Sequence, residues 1–172
     1  MDDWEKRLQR IATLDSSLLG SMREGVAHEQ ISKLTLDVLV REAADERFRM
    51  ARQHYRDAET LHTASPPAYR SAISRYYYAF YHAARATAFI ARSGDDYEAH
   101  SSLWKGIPDE LPNVADWRIK LKDARLLRNQ ADYDPYPKDP TFWDTEAATL
   151  RDTTRDFMLL ATSYLKANGG FP

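Results

Sequence analysis

The chain has 172 residues, enough for one domain with a substantial core, and its 43% hydrophobic and 29% charged content is that of an ordinary globular protein. Cysteine is absent, which excludes disulfides, thiolate metal sites and cysteine nucleophiles. A formal net charge of −2 and a pI near 6.2 exclude a surface coated with basic residues, so any nucleic-acid role must be local.

No apolar run approaches the ~20 residues that span a bilayer. The opening Met1-Asp2-Asp3-Trp4-Glu5 has neither the basic nor the apolar stretch of a signal peptide. A cytoplasmic protein with no membrane association is the expectation. There is no internal repeat and no low-complexity segment.

In chain order, residues 1–34 read as an N-terminal helical extension. It consists of a short amphipathic helix (Trp4, Leu8, Ile11, Leu14) and a connection broken by Gly20 and Gly25. Residues 35–168 read as the main helical domain, followed by a short tail, 169–172. Apolar residues at helical spacing (Phe48, Ala51, Tyr55, Ala58, Leu61) predict a helix from about Leu36 to Thr63, ended by Ser65-Pro66-Pro67. A second runs from Ala68 to Arg92 and stops at Ser93-Gly94. A short one near Ala99–Lys105 follows, where His100 reads as a capping residue. Another spans Val114–Asp132, before the turn-rich Tyr133-Asp134-Pro135-Tyr136-Pro137. The last opens at Asp139-Pro140-Thr141, a cap residue followed by a proline suited to the first turn, and closes at Asn168-Gly169-Gly170. Nothing reads as a paired strand. The fold class is therefore all-α: an up-and-down four-helix bundle with short extra helices and the N-terminal extension.

On a helical wheel, residues 70–92 separate into two faces. Ala72, Ile73, Tyr76, Ala79, Phe80, Ala83, Ala84, Thr87 and Ile90 form a core stripe whose alanines allow close helix approach. Opposite lie Ser71, Ser74, Arg75, Tyr78, His82, Arg85 and Phe89. Arg75, Tyr78 and His82 stand at i, i+3 and i+7, so their tips can meet. A solvated face and a buried polar seam, as dimer interface or as wall of a site, both fit that pattern.

In the later helix Arg118, Lys122, Arg125 and Asn129 share a face. That basic stripe suits a phosphate backbone, and equally the wet side of any helix. Arg128 lies at the edge of the apolar stripe, where its fork calls for a carboxylate or phosphate. On an ideal helix Arg128 and Tyr133 point about 140° apart. For both to serve one site, the helix would have to end between them or a second subunit complete the site. Glu59-Thr60-Leu61-His62 has the Glu-x-x-His form of di-iron bundles but no second such pair. Neither a phosphate loop, a nucleophile elbow nor a zinc motif is present, and no cofactor or metal is expected.

Two stretches together resemble the HEPN superfamily, of the kind found in prokaryotic proteins. One is Tyr69-Arg70-Ser71-Ala72-Ile73-Ser74-Arg75-Tyr76-Tyr77-Tyr78-Ala79-Phe80-Tyr81-His82-Ala83-Ala84-Arg85-Ala86, preceded by the Ala51…Asp57-Ala58…Leu61 helix. The other is Arg128-Asn129-Gln130-Ala131-Asp132-Tyr133. The resemblance extends from about Arg47 to Leu165. It implies a homodimer in which two motif helices face each other. It also implies an action on RNA or nucleotide, with metal-independent endoribonucleases of toxin–antitoxin or phage-defence systems among the members. Arg128 and Asn129 match the first half of the family's signature of an arginine, a polar residue, a spacer and a histidine. The implied catalytic set is Arg128, Asn129, Asp132 and Tyr133, with Arg75, Tyr78, His82 and Arg125 as substrate-binding residues. Tyr133 stands where the histidine is expected. A phenol with pKa near 10 is a poor general base at neutral pH, so the chemistry does not transfer intact. His82 is one candidate to replace it. The alternative is a non-catalytic dimer that binds nucleotide or RNA, or pairs with a nucleotidyltransferase-type partner, with Tyr133 or Tyr136 as a modification target.

Overall fold

A computed structural model describes residues 3–169; residues 1–2 and the tail residues 170–172 lie outside it. The chain divides into two compact units at Val40/Arg41. Among the described residues there is no strand, and no helix is long and apolar enough to cross a membrane.

In the N-terminal unit, α1 spans Asp3–Ala12 and α2 spans Ser16–Ser32. The expected glycine-broken connection is thus a continuous helix. Each interior glycine costs about 1 kcal/mol relative to alanine. That cost is opposed at the entry by Asp15, whose Oδ1 accepts from Leu18 N at 2.9 Å. At the exit, left-handed Lys33 (φ 61°) donates its N–H to the Glu29 carbonyl. A Cβ at Gly20 or Gly25 would meet nothing within 4 Å, so packing requires neither glycine. No residue of α2 is buried, and Trp4, Leu8 and Ile11 of α1 are exposed.

The second unit is the helical bundle: α3 (Leu36–His62, whose first turn belongs to the N-terminal unit), α4 (Tyr69–Arg92), α5 (Leu103–Gly106), α6 (Val114–Tyr133) and α7 (Pro140–Ala167). Helix α4 is its axis, packed against α5, α6 and α7. The predicted core stripe is buried from Ala72 to Thr87, with Ile90 only half-buried. The buried arc is wider than the wheel suggests, because Tyr77, Tyr81, Ala86 and Ala88 are enclosed as well. A central helix has neighbours on several sides. Phe80 meets Phe157 of α7 at 4.8 Å between ring centroids and Trp117 of α6 edge-on at 6.3 Å. The buried Thr154 hydroxyl donates to the Tyr76 carbonyl at 3.3 Å, so no donor is stranded there.

The connections follow their sequence signals with local adjustments. Ser93 rather than Gly94 takes the left-handed conformation after α4 (φ 54°). The short helix is only Leu103–Gly106, and a Cβ at Gly106 would lie 2.8 Å from the Tyr97 ring, so glycine is required. Asp139 caps α7 by accepting from Thr141 N at 2.9 Å, with Pro140 in the first turn. Glu59 and His62, spaced as in di-iron motifs, converge on buried Tyr76. Its hydroxyl donates to Glu59 Oε1 at 2.5 Å and lies 3.1 Å from His62 Nδ1, while His62 Nε2 is 3.2 Å from Asp144. This polar cluster ties α3, α4 and the start of α7 together.

Candidate functional site

The end of α6 is shaped by one arginine from the first turn of α4. Arg70 Nε donates to the Ala131 carbonyl at 2.7 Å and Nη2 to the Gln130 carbonyl at 3.2 Å, and Nη2 also reaches the Asp134 carbonyl. The Asp134 N–H already closes the last turn onto the Gln130 carbonyl at 3.1 Å, and the guanidinium adds a donor to the Ala131 carbonyl, which a helix end leaves without an intrahelical partner. That turn carries Asn129, Asp132 and Tyr133.

Arg128 sits beside it with 20% of its side chain exposed. Its Nη2 donates to the Tyr78 hydroxyl at 3.0 Å and Nη1 to Asn129 Oδ1 at 3.2 Å. Its Nε is 2.9 Å from Asp132 Oδ2, close enough for an ion pair, although the N–H is not aligned on the oxygen. The guanidinium carbon lies 5.4 Å from the Tyr78 ring centre and 5.7 Å from that of Tyr133. Desolvation opposes the charge on Arg128, but Tyr78, Asp132 and Tyr133 outweigh it and raise its pKa. Asp132 in turn accepts from the Ser74 hydroxyl. Arg128 and Tyr133 thus meet within one chain although α6 continues to Tyr133. The long arginine side chain spans the angle that their Cα positions leave, and neither an earlier helix end nor a second subunit is needed.

Arg75, Tyr78 and His82 do converge, and they do so around a residue that the sequence did not single out. His54 of α3 stacks on His82 (centroids 5.3 Å apart, 5° between planes) and on Tyr78 (5.5 Å, 30°), and its Nδ1 lies 3.4 Å from Arg75 Nη1. These side chains, with Ser71, Ser74 and Asp132, line an open cleft of about 500 Å³. Tyr78 and Asp132 belong both to this cleft and to the Arg128 cluster, so the two are continuous.

Burial lowers the pKa of His82 to about 4, helped by His54, Arg85, Arg47 and His100. Burial, then Arg75, lowers that of His54 as well. Both folded pKa values lie below the unfolded one, so the unfolded chain binds more protons between about pH 6.5 and 4. Their contribution to stability is therefore complete above that window and is lost as pH falls through it. Asp95, held low first by its hydrogen bond from Arg85, loses its contribution only below the ordinary carboxylate range. A thermal midpoint that falls between about pH 7 and 4.5, with a shallower fall in His82→Phe, is the expected result. Equal slopes in the two proteins would contradict it.

Other expectations are corrected. Arg85 leaves the polar seam, because Asp95 draws it in together with Arg47. His100 does not cap α5; it stacks on Tyr81 at 4.1 Å, with Nδ1 2.6 Å from the Tyr77 hydroxyl. The stripe on α6 is no continuous basic track. Arg118 donates to the Ile107 carbonyl at 2.8 Å and to Asp109 at 2.6 Å, and Lys122 lies 4.2 Å over the Trp104 ring. Arg125 is the half-buried member whose charge acts on Tyr77 and His100.

Residues 44–161, more than half of the chain, match the model of the HEPN domain. That range holds every residue of the Arg128 cluster and of the cleft. A search of curated proteins finds no match.

Proposed function

The chain belongs to the HEPN family, and on that premise we propose that it binds RNA at the end of α6 and cleaves it without a metal ion, Arg128 holding the scissile phosphate. The observation that carries this reading is the preorganisation of Arg128. Tyr78, Asn129 and Asp132 fix its guanidinium, yet part of the side chain stays open to solvent. An arginine held this way presents its remaining N–H groups to a phosphate without a further ordering cost. Asp132 orients it, and Ser74 donates to that carboxylate, moderating its repulsion of an anion. Asn129 and Tyr133 supply further polar contacts, and Arg75 and Arg125 extend the positive charge. The working form is a homodimer in which a second copy completes the RNA surface. A role in toxin–antitoxin or phage-defence systems accords with the family.

A second reading rests on Tyr133, which is 73% exposed in place of the family's histidine. A protein without that proton acceptor would bind nucleotide or RNA, or a nucleotidyltransferase partner, without cleaving it. Incubation of the full chain with total RNA in excess chelator separates the two. Cleavage that Arg128→Ala abolishes supports the endoribonuclease. Binding to RNA without cleavage, weakened in the same variant, supports the second reading. Cleavage that persists in Arg128→Ala removes Arg128 from the reaction.

A further inference from the structure

Three rings from two helices wall the cleft beside Arg128: His54 of α3, and Tyr78 and His82 of α4. Two of them are imidazoles that burial keeps neutral at pH 7, so they present flat, uncharged heterocycles. His54 Nδ1 faces the Arg75 guanidinium, a donor, which leaves Nε2 carrying the ring proton. His54 is therefore set as a stacking surface and hydrogen-bond donor rather than as a base. His54 lies nearly parallel to His82 and at a shallow tilt of 30° to Tyr78. Two of these rings each meet a cation: Arg75 lies against His54, and Arg128 donates to the Tyr78 hydroxyl. Ser71 and Ser74 add hydroxyls, and Asp132 contributes the carboxylate among the lining residues.

Flat neutral rings beside two guanidinium groups suit the alternation of base and phosphate along a nucleic-acid strand. The volume of about 500 Å³ is that of a small-molecule site, not of a double helix. A base inside a duplex is already stacked on its neighbours and cannot enter, whereas an unpaired one can be turned out onto aromatic side chains. We propose that the α3–α4 cleft is a nucleobase subsite, which stacks one unpaired base of an RNA strand on His54 and Tyr78 while Arg75 and Arg128 hold the phosphates flanking it. This inference rests on the RNA-binding reading above and narrows its substrate to single-stranded segments.

Fluorescence anisotropy of the full chain tests it, with a labelled 2′-O-methyl oligoribonucleotide that cannot be cleaved, offered as a single strand and as a blunt duplex. The wild type is expected to prefer the single strand. His54→Ala is expected to weaken single-strand binding about tenfold and leave duplex binding unchanged, while His54→Phe, which keeps a ring, stays within about twofold of wild type. Unchanged duplex binding shows that the variant is folded. Wild-type affinity in His54→Ala, or equal losses for strand and duplex or for alanine and phenylalanine, overturns the subsite. If Arg128→Ala weakens binding and His54→Ala does not, the subsite alone falls. If neither RNA form binds the wild type, the RNA reading falls with it.

Discussion

On the proposed endoribonuclease reading, replacing Arg128 with lysine is expected to slow RNA cleavage at least about a hundredfold, the scale seen when a single preorganised donor to a developing anion is removed. Charge is conserved, so the loss isolates geometry. Arginine addresses Tyr78, Asn129 and Asp132 from three different nitrogens at once and still has N–H groups left for a phosphate. An ammonium has three donors on one nitrogen and no plane to rest against the Tyr78 and Tyr133 rings. A lysine that pairs with Asp132 turns away from the phosphate, and one that reaches the phosphate leaves Asp132 and the Tyr78 hydroxyl without their cation. The fold should tolerate the change, because lysine keeps a positive charge beside Asp132 and part of both side chains stays solvated. The thermal midpoint is expected to move by less than about 3 °C. Initial rates on a defined RNA in chelator, beside a melting curve, make the comparison. A lysine variant with near-normal rate would show that only charge matters at this position.

The bundle was legible because its signals are local. The alternation of alanines and aromatics along α4 marks the buried stripe, and Asp139-Pro140 marks the start of α7. The misreadings arise where a residue's role depends on what lies across from it. Gly20 and Gly25 suggest a break when weighed by propensity alone, but Asp15 and Lys33 hold the two ends of α2. His100 next to two serines looks like a cap, yet the Tyr77 and Tyr81 side chains of α4 claim its ring. Arg118 and Lys122 share a face with Arg125, but the α5–α6 connection and Trp104 engage the first two. His54 carries no motif. Its place at the centre of Arg75, Tyr78 and His82 follows from the packing of α3 along α4 and from nothing within its own helix. Of the site, the residues on α4 and α6 were legible and the one supplied by α3 was not.

Arg70→Ala is expected to destabilise the protein by about 2–4 kcal/mol, because it removes charge-assisted hydrogen bonds and a cation–π interaction in one step. Arg70 donates to the carbonyls of Ala131, Gln130 and Asp134 at the end of α6, and its guanidinium lies 4.5 Å over the ring of buried Trp143. Trp143 is fixed in turn by donating to the Pro137 carbonyl at 2.7 Å. One truncation therefore removes the donor to the Ala131 carbonyl in the last turn of α6 and uncovers the ring that anchors α7. A positive charge also suits the negative end of the α6 dipole, so a neutral replacement of similar length would not restore the interaction. In a chain of this size the change corresponds to a fall of roughly 5–10 °C in thermal midpoint. Because Asn129, Asp132 and Tyr133 ride on that turn, the proposed RNA cleavage should fall as well, although Arg70 lies outside the Arg128 cluster. Hydrogen exchange at residues 130–134 distinguishes this route from general loosening: protection should drop there first and persist along α4 and the middle of α7. Unchanged exchange in that segment would mean that α6 holds its own end. The expected result means that the two sequence stretches resembling the HEPN superfamily, one opening α4 and one closing α6, form a single physical unit, in which the first supplies the cap that positions the second.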